Sequence, residues 1–231
     1  MLYIVPTPIG NLEDMTYRGV RILKEVELIL AEDTRHSRVL LDRYEIKNQV
    51  RSFHSYSTEH EIENYIQLLR EGKNIALISD AGTPGISDPG YRLIQAVLNA
   101  GLELTSLPGA SAVTTAIVAS GLPSHHFLYL GFLPIKKGRK TLLTSLATSE
   151  YSIVIYEAPH RMEKTLAEFE TYFGGERRIA VCRELTKQFE EVFRGTIAEA
   201  KAHFTQKKPK GEFTLVIAPL GIRLAKVSQL D

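Results

Sequence analysis

The stretch NIALISDAGTPGISDPGYRLIQAVLNAG, residues 74–101, carries the clearest structural signals in the sequence. Ile75–Ile78 form a short, continuous apolar run of the kind found in a strand that is buried on both faces. Residues 80–90 follow with three glycines and two prolines, which exclude regular structure. Apolar residues then recur at helical spacing from Leu93 to Leu98, and Gly101 supplies a stop signal. The stretch therefore predicts a buried strand, a loop and an amphipathic helix.

The predicted loop is long for a strand-to-helix connection. It has eleven residues, whereas such connections usually have about 2–6. Asp88 is the predicted helix N-cap and Pro89 the first helical residue. Glycine lets backbone approach a ligand closely, and N–H groups at a helix start bind polar groups. We therefore predict a ligand-binding loop. The alternative is a tight turn with no ligand. Neither a P-loop nor a G-x-G-x-x-G fingerprint is present, which argues against the common nucleotide-binding folds.

Bulk properties limit the possible functions. With 231 residues the chain can form one large or two small domains. Its net charge of +1 gives no global field toward nucleic acid or membrane, so a polyanionic partner must meet a local basic patch. Cys182 is the only cysteine, which rules out an intramolecular disulfide and a cysteine-based zinc site. The histidines lack ligand spacing and no apolar run reaches membrane length, so we expect no metal, no membrane partner and a cytoplasmic location.

Predicted strands alternate with helices over the first ~120 residues, which favours a parallel α/β sheet. Thr58 with Glu61 and Thr196 with Glu199 are predicted capping boxes. Residues 120–126 are the best linker, giving an N-terminal α/β domain at 1–119 and a C-terminal one at 124–231. The predicted strands lie at 2–5, 28–31, 50–53, 75–78, 104–107, 127–132, 152–156, 179–182 and 213–218.

Several loop segments together resemble one family. The segments are TPIGNLEDMT at 7–16, AEDTRHSRVLL at 31–41, SDAGTPGISDPG at 79–90, LPGASA at 107–112, SGLP at 120–123, GFLPIKKGR at 131–139, YEAPHR at 156–161, RELTKQFEE at 183–191 and GEFTLVI at 211–217. They resemble the 16S ribosomal RNA (cytidine-1402) 2′-O-methyltransferase family of the tetrapyrrole methylase superfamily. The match spans nearly the whole chain in order, whereas DAGTPG alone would be a weak signal.

The resemblance implies a non-Rossmann methyltransferase with two α/β domains and S-adenosylmethionine in the cleft between them. It also implies a homodimer and a substrate that is 16S ribosomal RNA or the small ribosomal subunit. Many members of the family carry a further helical segment at the C-terminus, whereas this chain ends in a short polar tail, Gly221 to Asp231. Any RNA contact made by that segment elsewhere must be absent here or supplied otherwise.

The resemblance also implies a set of cofactor contacts. Small residues admit the adenosine and methionine parts against backbone, and Ser, Thr and Asp can satisfy ribose hydroxyls and the amino group. For Ser111 the alternative is a simple helix N-cap. The implied contacts are Pro8, Asp80, Gly82, Thr83, Ile86, Ser87, Ser111, Ala112, Phe132, Tyr156, Glu157, Ala158, Phe213 and Thr214.

Methyl transfer to a ribose hydroxyl depends mainly on holding the reacting atoms in line, and a positioned base would help because a hydroxyl is a poor nucleophile. Asp33, Glu157 and His160 are the candidates, since each is predicted at a strand end in a polar loop. The two carboxylates could equally pair with Arg35 or Arg161 and be structural. The choice stays open at this point.

Phosphate recognition needs cations, and basic residues are grouped in three parts of the sequence, at 35–38, 136–140 and 207–210. For the Lys207–Lys210 run we favour a solvated face. Arg161 could hold phosphate or brace Glu157. The RNA contacts that we predict, within segments matching the family, are Arg35, Arg38, Lys136, Lys137, Arg139 and Arg161.

Two rival functions remain. One is a methyltransferase of a tetrapyrrole or other small molecule on the same fold, against which the basic loops argue because an acidic macrocycle needs fewer cations. The other is a non-catalytic sensor that binds the cofactor and a protein partner. A salt titration addresses the first, because RNA affinity falls steeply with added salt; cofactor binding without methyl turnover would indicate the second.

Overall fold

A computed structural model describes residues 1–206 and 209–222. Lys207 and Lys208 of the predicted solvated face, and residues 223–231 of the predicted tail, lie outside the described residues. The chain divides into two compact units, Met1–Ala112 and Val113–Asp231.

The first unit is built on a five-stranded sheet in the order β3-β2-β4-β1-β5. Every strand pair in this sheet is parallel, which confirms the parallel α/β prediction. The strands are β1 (Leu2–Ile4), β2 (Leu28–Ala31), β3 (Gln49–Ser52), β4 (Ile75–Ile78) and β5 (Leu104–Ser106), and the helices are α1 (Tyr17–Glu25), α2 (Thr34–Arg43), α3 (Glu59–Arg70) and α4 (Gly90–Asn99).

The central strands of this sheet are buried on both faces. Successive side chains of a strand point to opposite faces. Because β2 and β4 are buried at all four positions, each strand contributes side chains to two hydrophobic cores, one on each face of the sheet. Leu30 and Leu77 pack into one core with residues of α3 and α4, and Ile29 and Ile78 into the other with residues of α1 and α2. The continuous apolar runs in the sequence have this cause.

The second unit has a mixed sheet in the order β6-β7-β10-β8-β9. Only the β6–β7 pair is parallel; β10 runs antiparallel to β7 and β8, and β9 antiparallel to β8. The strands are β6 (Phe127–Phe132), β7 (Ser152–Glu157), β8 (Arg178–Arg183), β9 (Glu191–Thr196) and β10 (Phe213–Ile217), and the helices are α5 (Ala112–Ser120), α6 (Arg139–Leu146), α7 (Met162–Phe173) and α8 (Ile197–Gln206).

The division between the units falls at the start of α5, before the linker that the sequence indicates at 120–126. Side chains of the second sheet hold this helix. Arg194 of β9 donates from Nε to the carbonyl oxygen of Ala119 at 2.9 Å, and the Cys182 thiol of β8 lies 3.9 Å from the carbonyl oxygen of Ala116. Cys182 is buried, as its strand position predicts, and burial raises its pKa to about 11.

Local signals were accurate at most element ends. Both capping boxes form, at Thr58 with Glu61 and at Thr196 with Glu199. Helix α4 begins at Gly90, one residue later than predicted, yet Asp88 Oδ1 still accepts from the Gly90 N–H at 2.7 Å. Within the described residues, no helix has the length and apolar character needed to cross a membrane.

Candidate functional site

The loops that carry most of the predicted cofactor contacts lie at the carboxyl ends of the parallel strands in the first unit. Parallel α/β sheets bind ligands at this edge because the connecting loops meet there. The loops after β2 and β4 are neighbours, since Ala31 pairs with Ile78. Those after β1 and β5 follow on the other side of β4.

Hydrogen bonds join these loops into one framework. Thr7 and Gly82 form an antiparallel bridge with N–H to O distances of 2.9 and 3.0 Å. Thr83 Oγ1 donates to the carbonyl oxygen of Ala110 at 3.3 Å. Asp80 Oδ1 accepts from the Asp33 N–H at 3.1 Å. These bonds bring together the predicted cofactor contacts Asp80, Gly82 and Thr83. Pro8 and Ser111, which follow Thr7 and Ala110 in the chain, are held in the same framework.

Glycine is required in the loop for two different reasons. Gly82 has a φ of +82°, a conformation that side chains with a Cβ rarely adopt. A Cβ on Gly90 would lie 2.9 Å from Asp88 Oδ1 and 3.1 Å from the Gly85 nitrogen, so space is the constraint there. Ile86 is 48% exposed and Ser87 has a φ of +61°, which leaves an apolar side chain and a strained residue at the surface of the loop.

Two adjacent carboxylates at the end of β2 have opposite environments. Asp33 caps α2, accepting from the Arg35 and His36 N–H groups, and its Oδ2 lies 2.9 Å from Arg35 Nη2. The hydrogen bonds from Arg35 lower the pKa of Asp33 to about 2. Burial, and then the charges of Asp80 and Asp88, raise the pKa of Glu32.

These environments distinguish between the candidate bases, which the sequence left open. A carboxylate with a pKa of about 2 is a weak proton acceptor, so the structural alternative is favoured for Asp33. Glu32 makes no hydrogen bond or ion pair through its carboxylate with any described residue. The sequence reasoning missed Glu32, although its place directly after a buried strand, inside the AEDTRHS segment, is a usable signal.

The second unit brings its own predicted residues to one edge of the mixed sheet. Tyr156 pairs with Phe132 in the parallel register and with Thr214 in the antiparallel one, and Glu157 pairs with Phe213. The rings of Phe132 and Tyr156 lie 5.7 Å apart, edge to face. Burial, with Tyr129 nearby, raises the pKa of the Tyr156 phenol. Phe213 and Thr214 are buried, whereas Phe132 is 55% exposed.

Glu157 is buried within an ionic network rather than open to a substrate. It is 1% exposed; its Oε1 lies 3.0 Å from Arg161 Nε and its Oε2 accepts from Thr165 Oγ1 at 2.6 Å. Arg139 donates from Nη2 to Thr165 at 2.8 Å. Both carboxylate oxygens are engaged, which favours the structural alternative for Glu157 as well.

Two of the predicted RNA contacts, Arg139 and Arg161, have guanidinium groups that are engaged within the protein. Arg139 is 5% exposed and also donates to Glu168 at 2.7 Å and to the carbonyl oxygen of Pro134 at 3.1 Å. The Arg161 side chain is 17% exposed and is held by Glu157 and the carbonyl oxygen of Leu133. Both guanidinium groups lie near the buried carboxylate of Glu157, which favours a structural role over a phosphate contact. Arg161 therefore braces Glu157.

The other predicted basic residues face solvent. Arg35 and Arg38 are exposed and pair with Asp33 and Asp42. Lys136 and Lys137 are exposed and form no ion pair with described residues. His160 is exposed in a short 3-10 helix, Pro159–Arg161, and no ion pair with another described residue engages it.

Residues 1–201 match the family model described as Tetrapyrrole (Corrin/Porphyrin) Methylases. The chain is 49% identical to a Synechocystis protein named ribosomal RNA small subunit methyltransferase I, covering 94% of this chain and 78% of that protein. The chain belongs to this methyltransferase family, within the tetrapyrrole methylases. A Thermotoga maritima protein of the same name is 46% identical, with 94% of this chain and 97% of that protein covered.

Solved structures agree with this family at the level of the fold. Cobalt precorrin-4 methyltransferase, a cobalamin biosynthetic enzyme, aligns with a TM-score of 0.71 at 17% identity over 94% of each chain. Uroporphyrin-III C-methyltransferase from Thermus thermophilus, complexed with S-adenosylhomocysteine, aligns with a TM-score of 0.65 at 17% identity over 93% of this chain and 96% of that one. At this identity the likeness concerns the fold alone.

Proposed function

We propose that this protein methylates ribosomal RNA of the small subunit, using S-adenosylmethionine, and that its target is the ribose 2′-hydroxyl of a cytidine in 16S RNA. The observation that carries the proposal is the joined loop framework at the carboxyl edge of the first sheet, in a chain whose relatives are named small-subunit methyltransferases. The 2′-hydroxyl and cytidine-1402 come from the sequence resemblance.

The loop framework suits the proposed cofactor. Gly82, at a φ of +82°, presents backbone without a side chain, and Asp80 and Thr83 place a carboxylate and a hydroxyl beside it. Bound cofactor supplies a methyl group already activated on a sulfonium. In this proposal the contacts in the first unit are Pro8, Asp80, Gly82, Thr83, Ile86, Ser87, Ser111 and Ala112, and those in the second are Phe132, Tyr156, Ala158, Phe213 and Thr214. Glu157 leaves the predicted set, because both of its carboxylate oxygens are engaged within the second unit.

We assign the proton-accepting role to Glu32, with His160 as the competing candidate. The Glu32 carboxylate is half-buried, unpaired among described residues and adjacent to the loop of Asp80. Glu32 would accept the proton as the O2′–H bond of the ribose breaks, and the oxygen would bond to the methyl carbon as the methyl–sulfur bond breaks, which leaves S-adenosylhomocysteine as the product. A positioned base of this kind typically contributes about 10²–10⁴-fold to the rate.

The decisive experiment is methyl transfer from labelled S-adenosylmethionine to small ribosomal subunits isolated from cells that lack this protein, followed by mapping of the modified nucleotide. We expect label on one ribose of 16S RNA. Label on a base would contradict the ribose assignment, and tight cofactor binding with no label on subunits or naked RNA would favour the small-molecule methyltransferase.

Two further parts of the proposal concern the assembled protein. A homodimer and a cytoplasmic location both stay predictions from the sequence. Analytical ultracentrifugation tests the first, and cell fractionation the second.

A further inference from the structure

The loop after β3 presents an aromatic ring to solvent on a firmly held backbone. Tyr56 is 88% exposed, although the residues around it are anchored. Phe53 is 1% exposed and its N–H donates to the carbonyl oxygen of Ala31 in the neighbouring strand at 2.8 Å. Ser57 is 3% exposed; its Oγ accepts from the His54 N–H at 3.1 Å and its N–H donates to the His54 carbonyl oxygen at 2.9 Å.

Arg92 of α4 braces the same loop from the other side. Its Nη1 donates to the carbonyl oxygens of Ser55 and Ser57 at 3.2 and 2.8 Å. Its Nη2 lies 2.6 Å from Glu59 at the start of α3. These bonds hold the backbone on both sides of Tyr56, and the His54 ring supports the tyrosine ring edge to face at 6.0 Å. A ring held in this way loses little conformational entropy when a flat ligand stacks on it.

Exposed cations lie near the ring, at the edge already described. Strand β3 pairs with β2, so the Tyr56 loop is next to the loop of Arg35, whose side chain is 90% exposed. His36 is exposed on the same loop. Exposed aromatic rings beside cations are the features with which proteins bind single-stranded nucleic acid, the ring stacking on a base and the cations meeting phosphates.

We infer that Tyr56 is a stacking platform for one unpaired base of the RNA strand that this protein modifies, with Arg35 beside it toward the phosphates. The inference rests on the proposed function and adds a base-binding position that the matched sequence segments do not include. A base unstacked from its neighbours offers both faces, and an aromatic side chain covers one of them. The platform makes no hydrogen bond to a base edge, so it holds the strand without selecting one base.

The test compares Tyr56→Ala and Tyr56→Phe with wild type, using a fluorescently labelled single-stranded RNA of the 16S target segment. We expect Tyr56→Ala to weaken RNA binding by about 5- to 150-fold, the range for loss of one stacked base. Tyr56→Phe keeps the ring and should bind like wild type. The slope of log affinity against log salt should not change in either variant, because no phosphate contact is lost.

A matched control is Tyr151→Ala. Tyr151 is 46% exposed and also contacts a histidine ring edge to face, His126 at 5.7 Å, but it lies just before β7, at the opposite edge of the second sheet from Tyr156. We expect this variant to bind RNA like wild type. Equal RNA affinity of Tyr56→Ala and Tyr151→Ala would overturn the platform.

A scan of abasic nucleotides through the same RNA locates the stacked base without relying on the alanine variant alone. One abasic position should weaken RNA binding by wild type and by Tyr56→Phe. For RNA that is abasic at that position, Tyr56→Ala should bind no more weakly than wild type does. Additive losses at every position would overturn the inference. If wild type methylates small subunits while Tyr56→Ala binds RNA normally, the platform alone is wrong; if wild type neither methylates subunits nor binds RNA, the proposed function fails with it.

Discussion

At the scale of single residues, the structure separates neighbours that the sequence treats alike. Glu32 and Asp33 are adjacent carboxylates after a buried strand, yet the pKa of one is raised by burial and that of the other is lowered by Arg35. Lys137 and Arg139 are cations two residues apart in one loop segment. The Arg139 side chain is buried against Glu168, whereas Lys137 is exposed. Residue type and spacing predicted where charges cluster, but orientation depends on partners far along the chain.

The first prediction concerns Glu32→Gln. Because the base acts when ionised and its pKa is raised, wild-type kcat/KM should rise with pH through a value above the ordinary 4.5. The variant should lose about 10²–10⁴-fold in turnover together with that limb of the profile, while cofactor affinity stays unchanged.

The same substitution, Glu32→Gln, should increase thermal stability while it lowers turnover. A carboxyl with a raised pKa in the folded state stabilises the fold below its unfolded pKa, and this contribution is lost as pH rises through the folded pKa. Glutamine cannot ionise, so Glu32→Gln should raise the Tm at neutral pH. Glu103→Gln, exposed just before β5, is the control for both measurements. If His160→Ala abolished the rise of kcat/KM with pH and Glu32→Gln left it in place, His160 would be the proton acceptor instead of Glu32.

The second prediction tests whether Arg139 has the structural role that its ion pairs favour. Arg139→Met removes one partner from a buried ion network that includes Glu157 and Glu168. The free energy of unfolding, measured with urea, should fall by about 3–5 kcal/mol because a buried charge loses its compensation. Lys137→Met, at an exposed site, should change it by about 0.5 kcal/mol or less. A stable Arg139→Met with weakened RNA binding would instead restore its predicted phosphate contact.

At the scale of elements, strands with a continuous apolar run are the ones that the sequence predicts best. Strands β2 and β4 were predicted to the residue because both faces are buried and the apolar runs are continuous. Strand β9 (Glu191–Thr196) was missed, since it is an edge strand with polar residues at Glu191 and Arg194 and no such run. The insertion of β10 between β7 and β8, antiparallel to both, is a long-range pairing that no local pattern encodes.

The third prediction addresses the loop framework with a matched pair of glycines. Gly82 and Gly72 have nearly equal φ values, +82° and +83°, but Gly72 follows α3, and a Cβ added there would meet nothing within 4 Å. Valine at either site should lower stability by about 1–3 kcal/mol through backbone strain. Only Gly82→Val should abolish cofactor binding in calorimetry. Equal cofactor affinity in the two variants would contradict the placement of the cofactor at this loop.

At the scale of the whole molecule, the net charge of +1 leaves RNA affinity to local groups of exposed cations. Arg35 and Arg38 share their charge with Asp33 and Asp42. Lys136 and Lys137 have no ion-pair partner in the part of the chain that the structure describes. The two pairs should therefore contribute unequally to phosphate binding.

The last prediction follows from that inequality. Replacing Lys136 and Lys137 with Gln should weaken RNA binding and make the slope of log affinity against log salt shallower by about 0.7 per lost phosphate contact. Arg35→Gln with Arg38→Gln should change the slope less, because each carboxylate partner already offsets part of the charge. Lys24→Gln with Lys73→Gln removes the same total charge at the opposite edge of the first sheet and should leave the slope unchanged. Equal slopes in all three double variants would mean that RNA responds to net charge alone, and the basic residues would then be ordinary solvated surface.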